Sequence, residues 1–225
     1  MIEACIFDLD GVVVDTAKYH FRAWSQLADY LDIPFTEEDN EVMKGLGRSD
    51  SLDMLLLLTD KSYTDDEKQE FLTRKNESYL SLVDDMDAAA ILPGVISLLE
   101  LLKEHGIKVA LGSASKNARL ILDKIGLTDR FDIIVDGNDV ERPKPDPEVF
   151  LKGAAQLGAL PENTIVWEDS AKGLDAALAG AFLTVGIGQA KYLNHAHQVV
   201  SDLLNIKINF VTDFESKINL LKEYE

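Results

Sequence analysis

The sequence predicts an α/β protein, a doubly wound parallel sheet carrying an inserted α-helical domain. Three observations predict it. Short, nearly continuous apolar runs recur along the chain, as expected of parallel strands covered by helices on both faces. Segments of helical period separate these runs. Between the first run and Pro93, roughly 75 residues read as helix throughout.

The first strand is IEACIF, starting at Ile2. The helical stretch follows as AKYHFRAWSQLADYL, SLDMLLLLTD and DDEKQEFLTRKNESYLSLV, and the chain returns through Asp84 to Ala90. A core domain of residues 1–15 and 88–225, with a helical domain of residues 16–87, is the expected organisation. Further strands are expected at IKVALGS from Ile107, DIIVD from Asp132, TIVWED from Thr164, FLTVGIG from Phe182 and INFVTD from Ile208. The helices between them carry their own punctuation. ISLLELLKEHG follows Pro93 and stops near Gly106, ARLILDKIG stops near Gly126, and PEVFLKGAAQLG begins at Pro147 after Asp146.

Composition narrows the function classes. The chain has 225 residues, 46% of them hydrophobic, which suffices for a sizeable core. No apolar segment approaches the roughly 18 to 20 residues that span a bilayer. Met1 runs directly into a strand pattern without the flanks of a signal peptide, so a cytoplasmic protein is expected. With 40 acidic against 22 basic residues, the net charge of -18 opposes binding to nucleic acid or an acidic membrane. The single Cys5 lies inside IEACIF and reads as a small buried side chain.

In open parallel sheets, ligands gather beyond the carboxyl ends of the strands, where loops and helix N-termini converge. There FDLDGVVVDT places Asp8 and Asp10 after strand one. Ser113, Ala114, Ser115, Lys116 and Asn117 follow strand two, Glu168, Asp169 and Ser170 end strand four, and Lys144 precedes a Pro-rich helix start. Each alone is an ordinary strand end or helix cap. Together they supply carboxylates for a hard cation, hydroxyl and amide donors, and a fixed positive charge, which are the requirements of phosphoryl transfer. Lys44, Arg48 and Lys75 stand out in so acidic a chain. The glycines of KGLGR let backbone approach a ligand, and its Arg can grip a phosphate with two bonds.

FDLDGVVVDT, the SAS at Ser113, the KP at Lys144 and the ED at Glu168 resemble the motifs of the haloacid dehalogenase superfamily, in order and with suitable spacing. The helical insertion resembles the α-helical cap of one of its branches. DTAKYHFRAW, KGLGRSDSL, RKNESY and SASKN are similar to the sugar-phosphate mutases of that branch, and the likeness runs from Met1 to about Gly188. The resemblance implies a Rossmannoid core and a phosphomutase interconverting β-glucose 1-phosphate and glucose 6-phosphate through an aspartyl phosphate and a 1,6-bisphosphate. It implies a Mg²⁺ cofactor and small sugar phosphates as partners, and a monomer is expected. The alternative is a sugar-phosphate phosphatase on the same fold.

By that resemblance Asp8 is the nucleophile and Asp10 the general acid and base, its backbone carbonyl joining Asp8, Glu168 and Asp169 around the metal. Ser113 and Ala114 would contact the transferring group, and Lys144 would balance its charge and hold Asp8. Arg48, with Ser115, Lys116 and Asn117, would hold a distal phosphate. His20 would couple closure of the cap to placement of Asp10. Trp24, Lys44, Gly45, Ser51 and Lys75 would bind substrate, with Met43, Leu46 and Asn76 lining or supporting the sugar pocket. Trp24 and Met43 fit a cap core equally well. Asp15 reads as scaffold, Asp169 could serve as a helix N-cap, and the Lys144-Pro145 peptide could be cis.

Overall fold

The four residues of Ala4–Phe7 are all buried and none carries a charge, so this strand, β1, can only lie inside a sheet. In the computed structural model, which describes residues 1–214, β1 pairs in parallel with β2 (Lys108–Gly112) on one side and β4 (Thr164–Glu168) on the other. β3 (Ile133–Val135), β5 (Leu183–Ile187) and β6 (Gln198–Val200) complete a six-stranded parallel sheet of order β3-β2-β1-β4-β5-β6.

Register decides where the first acid emerges. Phe7 stands opposite both Leu111 and Trp167, so Asp8 appears beside Gly112 and Glu168. Alternation along β1 sends Cys5 and Phe7 to one face and Ala4 and Ile6 to the other. The first face packs on α5 (Val95–Glu104) and α6 (Ala118–Ile125), the second on α7 (Glu148–Leu157) and α8 (Ala171–Ala179). Phe7 stacks on Trp167 with ring centroids 5.6 Å apart, and its full burial is worth roughly 2 to 3 kcal/mol. Gly112 is a packing position, since a Cβ there would come within 2.9 Å of Ile6 and Phe150.

Between β1 and α5 the chain forms α1 (Ala17–Leu31), α2 (Glu37–Met43), α3 (Arg48–Leu56) and α4 (Asp65–Leu82). Trp24, Leu27, Leu31, Leu52, Leu55 and Phe71 give this insertion its own apolar cluster. Thr36 with Asp39, and Thr64 with Glu67, form capping boxes that start α2 and α4. The outgoing and returning chains run side by side. Asp15 N donates to Ala90 O at 2.9 Å and Leu92 N to Val13 O at 3.0 Å.

The sixth strand differs from the expectation. INFVTD is not a strand: Ile208–Thr212 is a short helix, α10, because Val211 and Phe214, three apart, are the fully buried residues. β6 is the preceding QVV, reached through the short helix α9 (Ala190–Leu193). The expected core extends to 225, and residues 215–225 lie outside the described residues. No helix among the described residues is long and apolar enough to cross a membrane.

Candidate active site

β1 delivers Asp8 to the carboxyl edge of the sheet, where Lys144 Nζ donates to Asp8 Oδ1 at 2.6 Å and to Glu168 Oε2 at 2.8 Å. All three side chains are buried. The Lys144-Pro145 peptide is cis. Glu168 Oε1 accepts from Asp169 N, Ser170 N and Ser170 Oγ at 3.2, 3.1 and 2.7 Å. Ser170, not Asp169, caps α8, its hydroxyl accepting from Gly173 N at 3.0 Å. Asp169 is thereby left free to face the cavity. Gly11 makes room for it: its φ is +80°, and a Cβ there would collide with the Asp169 carboxylate.

This crowding sets the charges. Burial, against the pull of Lys144 and with the help of Glu168 and Asp10, pushes the Asp8 carboxyl up to about 7. Burial and the neighbouring Glu168 and Asp8 carboxylates hold Asp169 well above the ordinary carboxylate range. Lys144 is raised as well, which for a lysine favours the charged form: burial opposes its charge, but Asp8 and Glu168 outweigh burial. One carboxylate oxygen from each of Asp8, Glu168 and Asp169 lies within 4.8 Å of the others. An all-oxygen, acid-rich set of this kind fits a small hard divalent cation, and such a charge would offset the burial and repulsion that raise Asp8 and Asp169. Asp10 contributes no side chain to the cluster.

The Asp10 carboxylate faces the insertion instead. Its Oδ1 accepts a short hydrogen bond from Thr16 Oγ1 and lies 3.4 Å from His20 Nε2. That His20 contact is within ion-pair reach without the alignment of a hydrogen bond, and Nε2 has no hydrogen-bond partner. On the far side of the ring, Lys75 Nζ sits 3.0 Å from Nδ1. As an ammonium the lysine offers only protons there, so in that state Nδ1 accepts and the ring proton sits on Nε2, toward Asp10. Burial alone would raise Asp10, yet His20, Thr16 and Lys75 together hold it below the ordinary range. His20 is lowered by burial and by Lys75. Lys75, 3% exposed and packed over Trp24 and Tyr79, is brought down to about 7 by burial and then by Arg48.

A cavity of about 100 Å³ joins these groups. Core and insertion both build its wall. Asp8, Asp10 and Asp169 enter from the strand ends, and Ala114, Ser115, Lys116 and Asn117 from the loop after β2. His20, Trp24, Arg48, Ser51 and Lys75 enter from the insertion, with Met43, Lys44, Gly45 and Leu46. Ser113, Lys144 and Glu168 stand behind this wall; Ser113 Oγ accepts from Ser115 N at 3.1 Å, which leaves its hydroxyl proton free to donate. Asn76 Oδ1 takes Asn117 Nδ2 at 3.0 Å and so ties insertion to core. Asp15 is engaged with Lys18 at 2.5 Å and stays outside.

The glycines of KGLGR, of which Gly45 lines the cavity, also allow a close approach to the core. Both press on the core: a Cβ on Gly45 would strike the Ser170 hydroxyl, and one on Gly47 would come within 3.0 Å of Pro143. Lys44 adds a charged contact, 4.0 Å from Asp169 and 2.7 Å from Glu41. Sequence reasoning assigned no role to Thr16 or Asn40, and placed Ser170 only among the polar residues that end strand four. The signal for Thr16 was its position before α1, yet its hydroxyl makes no cap bond and goes to Asp10. Asn40 belongs to α2, an acidic helix in which only Met43 is buried.

A family model for haloacid dehalogenase-like hydrolases matches residues 2–180. This chain belongs to that family. Among haloacid dehalogenase-like relatives, the beta-phosphoglucomutase of Bacillus subtilis is 39% identical over 93% of this chain and 94% of its own. A phosphorylated carbohydrates phosphatase of Thermotoga maritima is 30% identical over 99% of each chain. The crystal structure of a beta-phosphoglucomutase from Clostridium difficile superposes with a TM-score of 0.90 at 40% identity, covering 98% of this chain and 99% of that one. The haloacid dehalogenase-like fold, with its parallel sheet and inserted α-helical cap, is therefore common to both.

Proposed function

We propose that this protein is a beta-phosphoglucomutase, interconverting β-glucose 1-phosphate and glucose 6-phosphate. The observation that carries the reading is that Arg48 from the cap and Lys116 and Asn117 from the core line the same cavity as Asp8 and Asp10. A site built to transfer one phosphoryl group while gripping another needs both sets of donors. The similarity to beta-phosphoglucomutases over nearly the whole chain supports it.

In this reading residues 16–87 form the cap domain and residues 1–15 and 88–225 the core. Lys144 holds Asp8 Oδ1, leaving the other oxygen to attack phosphorus. Ser113 and the Ala114 amide steady the phosphoryl oxygens. Asp10, kept ionised by Thr16 and His20, starts as a base. It takes the proton of the sugar 6-hydroxyl as phosphorylated Asp8 hands over its group, giving the 1,6-bisphosphate. With the sugar reversed, Asp8 takes the phosphoryl group from C1, Asp10 returns the proton to the leaving oxygen, and glucose 6-phosphate departs. Asp8, Glu168, Asp169 and the Asp10 carbonyl would hold Mg²⁺, which when bound neutralises phosphate oxygens during transfer. Closure of the cap, pressed down at Gly45 and Gly47, keeps water from the aspartyl phosphate. The reading includes a monomer acting in the cytoplasm on small sugar phosphates.

The Thermotoga relative favours a second reading, a sugar-phosphate phosphatase. A panel of sugar 1-phosphates of both anomers, with and without a 1,6-bisphosphate primer and Mg²⁺, separates the two. Primer-dependent glucose 6-phosphate formation is expected. Phosphate release without glucose 6-phosphate overturns the mutase reading.

A further inference from the structure

The loop that follows β3 lies outside the cavity, yet it binds the back of the Ser113 to Asn117 loop. Asn138 Nδ2 donates to the Lys116 carbonyl at 3.0 Å, and Gly137 N donates to the Ser115 carbonyl at 3.2 Å. Only the amide nitrogen of Asn138 can face a carbonyl oxygen, so the orientation of its side chain is fixed by chemistry. Contact between the loops is close. A Cβ on Gly137 would overlap the Ala114 carbonyl and approach Lys116 Cγ at 3.1 Å.

The supporting loop is itself held from within. Buried Asp136 accepts Asn138 N at 2.8 Å through Oδ1, and Asp139 Oδ2 accepts Asp136 N at 2.9 Å. Arg119, in the first turn of α6, donates through Nη2 to Ile134 O and to Asp139 Oδ2, both at 2.8 Å. The Ser113 to Asn117 loop and the helix that leaves it are thus tied to one braced segment.

Lys116 gives this bracing a purpose. Its side chain is exposed, its ammonium makes no ion pair among the described residues, and the residue forms part of the cavity wall. A four-carbon stem without a side-chain partner carries large rotamer entropy, so its aim depends on a fixed main chain. We propose that Asn138 is a positioning residue for the distal phosphate, acting through the Lys116 carbonyl rather than through any contact with substrate. The inference rests on the assignment of Lys116 to that phosphate in the mutase reading.

The experiment is a double-mutant cycle of Asn138→Ala and Lys116→Ala, read as affinity for β-glucose 1-phosphate by calorimetry and as KM in steady state. Asn138→Ala is expected to weaken sugar-phosphate binding roughly three- to tenfold, the worth of one such hydrogen bond, and to raise that KM well beyond any change in the KM of acetyl phosphate. In the Lys116→Ala background most of the effect should vanish, a coupling that a general loss of structure does not produce. Additive losses, or equal losses on both substrates, overturn the inference. Asn138 is exposed, so both variants should fold, and equal melting temperatures verify this. Should the wild-type protein form no glucose 6-phosphate, the mutase reading falls by itself. The calorimetric cycle then still decides whether Asn138 acts through Lys116.

Discussion

Lys144 and Asp8 lie 2.6 Å apart, Nζ to Oδ1, in a position where water reaches neither well. The same ammonium meets Glu168 at 2.8 Å and sits 4.6 Å from the centre of the Phe150 ring. Lys144→Met would leave two buried carboxylates facing each other without a cation. Such a change costs about 3 to 5 kcal/mol in comparable sites, so the urea midpoint should fall markedly. Turnover should fall at least about 100-fold as well, because the charge that balances the transferring group is gone. A midpoint within error of the wild type refutes the pairing.

Asp8→Asn preserves shape and removes the nucleophile. Incubated with acetyl phosphate or the bisphosphate and quenched in acid, the wild-type chain should gain the mass of one phosphoryl group, labile to base, and the variant none. An adduct that persists in Asp8→Asn assigns the nucleophile elsewhere.

How far the sequence reached can be judged from particular residues. The strand ends were legible because buried parallel strands are continuous apolar runs and each stops at a polar residue, as IEACIF stops at Asp8. INFVTD misled because it alternates like a strand, whereas its burial follows a spacing of three that involves Phe214, beyond the motif. β6 was missed because three half-buried residues at a sheet edge leave almost no pattern. The partners of Asp10 were only half legible. His20 and Lys75 lie 55 residues apart, and nothing local indicates that their nitrogens meet at 3.0 Å. Asn138 carried no signal, since its contribution is one hydrogen bond to a carbonyl.

Cation binding at Asp8, Glu168 and Asp169 should appear as stability. The native chain carries these carboxylates against their mutual repulsion, so Mg²⁺ that binds only the folded state adds about 2.7 kcal/mol at a hundredfold excess over its Kd. Melting followed with EDTA and then with Mg²⁺ should show that gain in the wild type. Asp169→Asn should be more stable than wild type in EDTA and gain much less from Mg²⁺. An unchanged response would remove Asp169 from the metal site.

Arg48 lines the cavity from the start of α3, and no carboxylate pairs with it among the described residues. A guanidinium held free at a cavity wall is suited to a doubly bonded phosphate. Arg48→Ala should therefore reduce kcat/KM for β-glucose 1-phosphate by about 10- to 100-fold, through the loss of roughly 1.5 to 3 kcal/mol. Hydrolysis of acetyl phosphate, which has no second phosphate, should lose much less. Equal losses on the two substrates would place Arg48 at the transferring group.

Lys75 offers a test through pH. Its ordinary value is 10.5, and burial with Arg48 nearby brings it to about 7 in the folded chain, a cost on the order of 5 kcal/mol when it is charged. Below about 7 both folded and unfolded chains hold the proton, and the native state bears the whole cost. Between about 7 and 10.5 the unfolded chain binds a proton that the native chain lacks, so this contribution to stability rises with pH. Above 10.5 both are neutral and the cost is gone. Lys75→Met removes the titration but also loses the contacts to His20 and the Trp24 ring, together about 1 to 2 kcal/mol. The variant should melt above the wild type at pH 6, with the gap closing as pH rises toward 10, while its turnover falls because His20 loses the proton donor that fixes its tautomer. A gap that stays constant from pH 6 to pH 10 would mean that the buried charge of Lys75 is not what the protein sacrifices stability to keep.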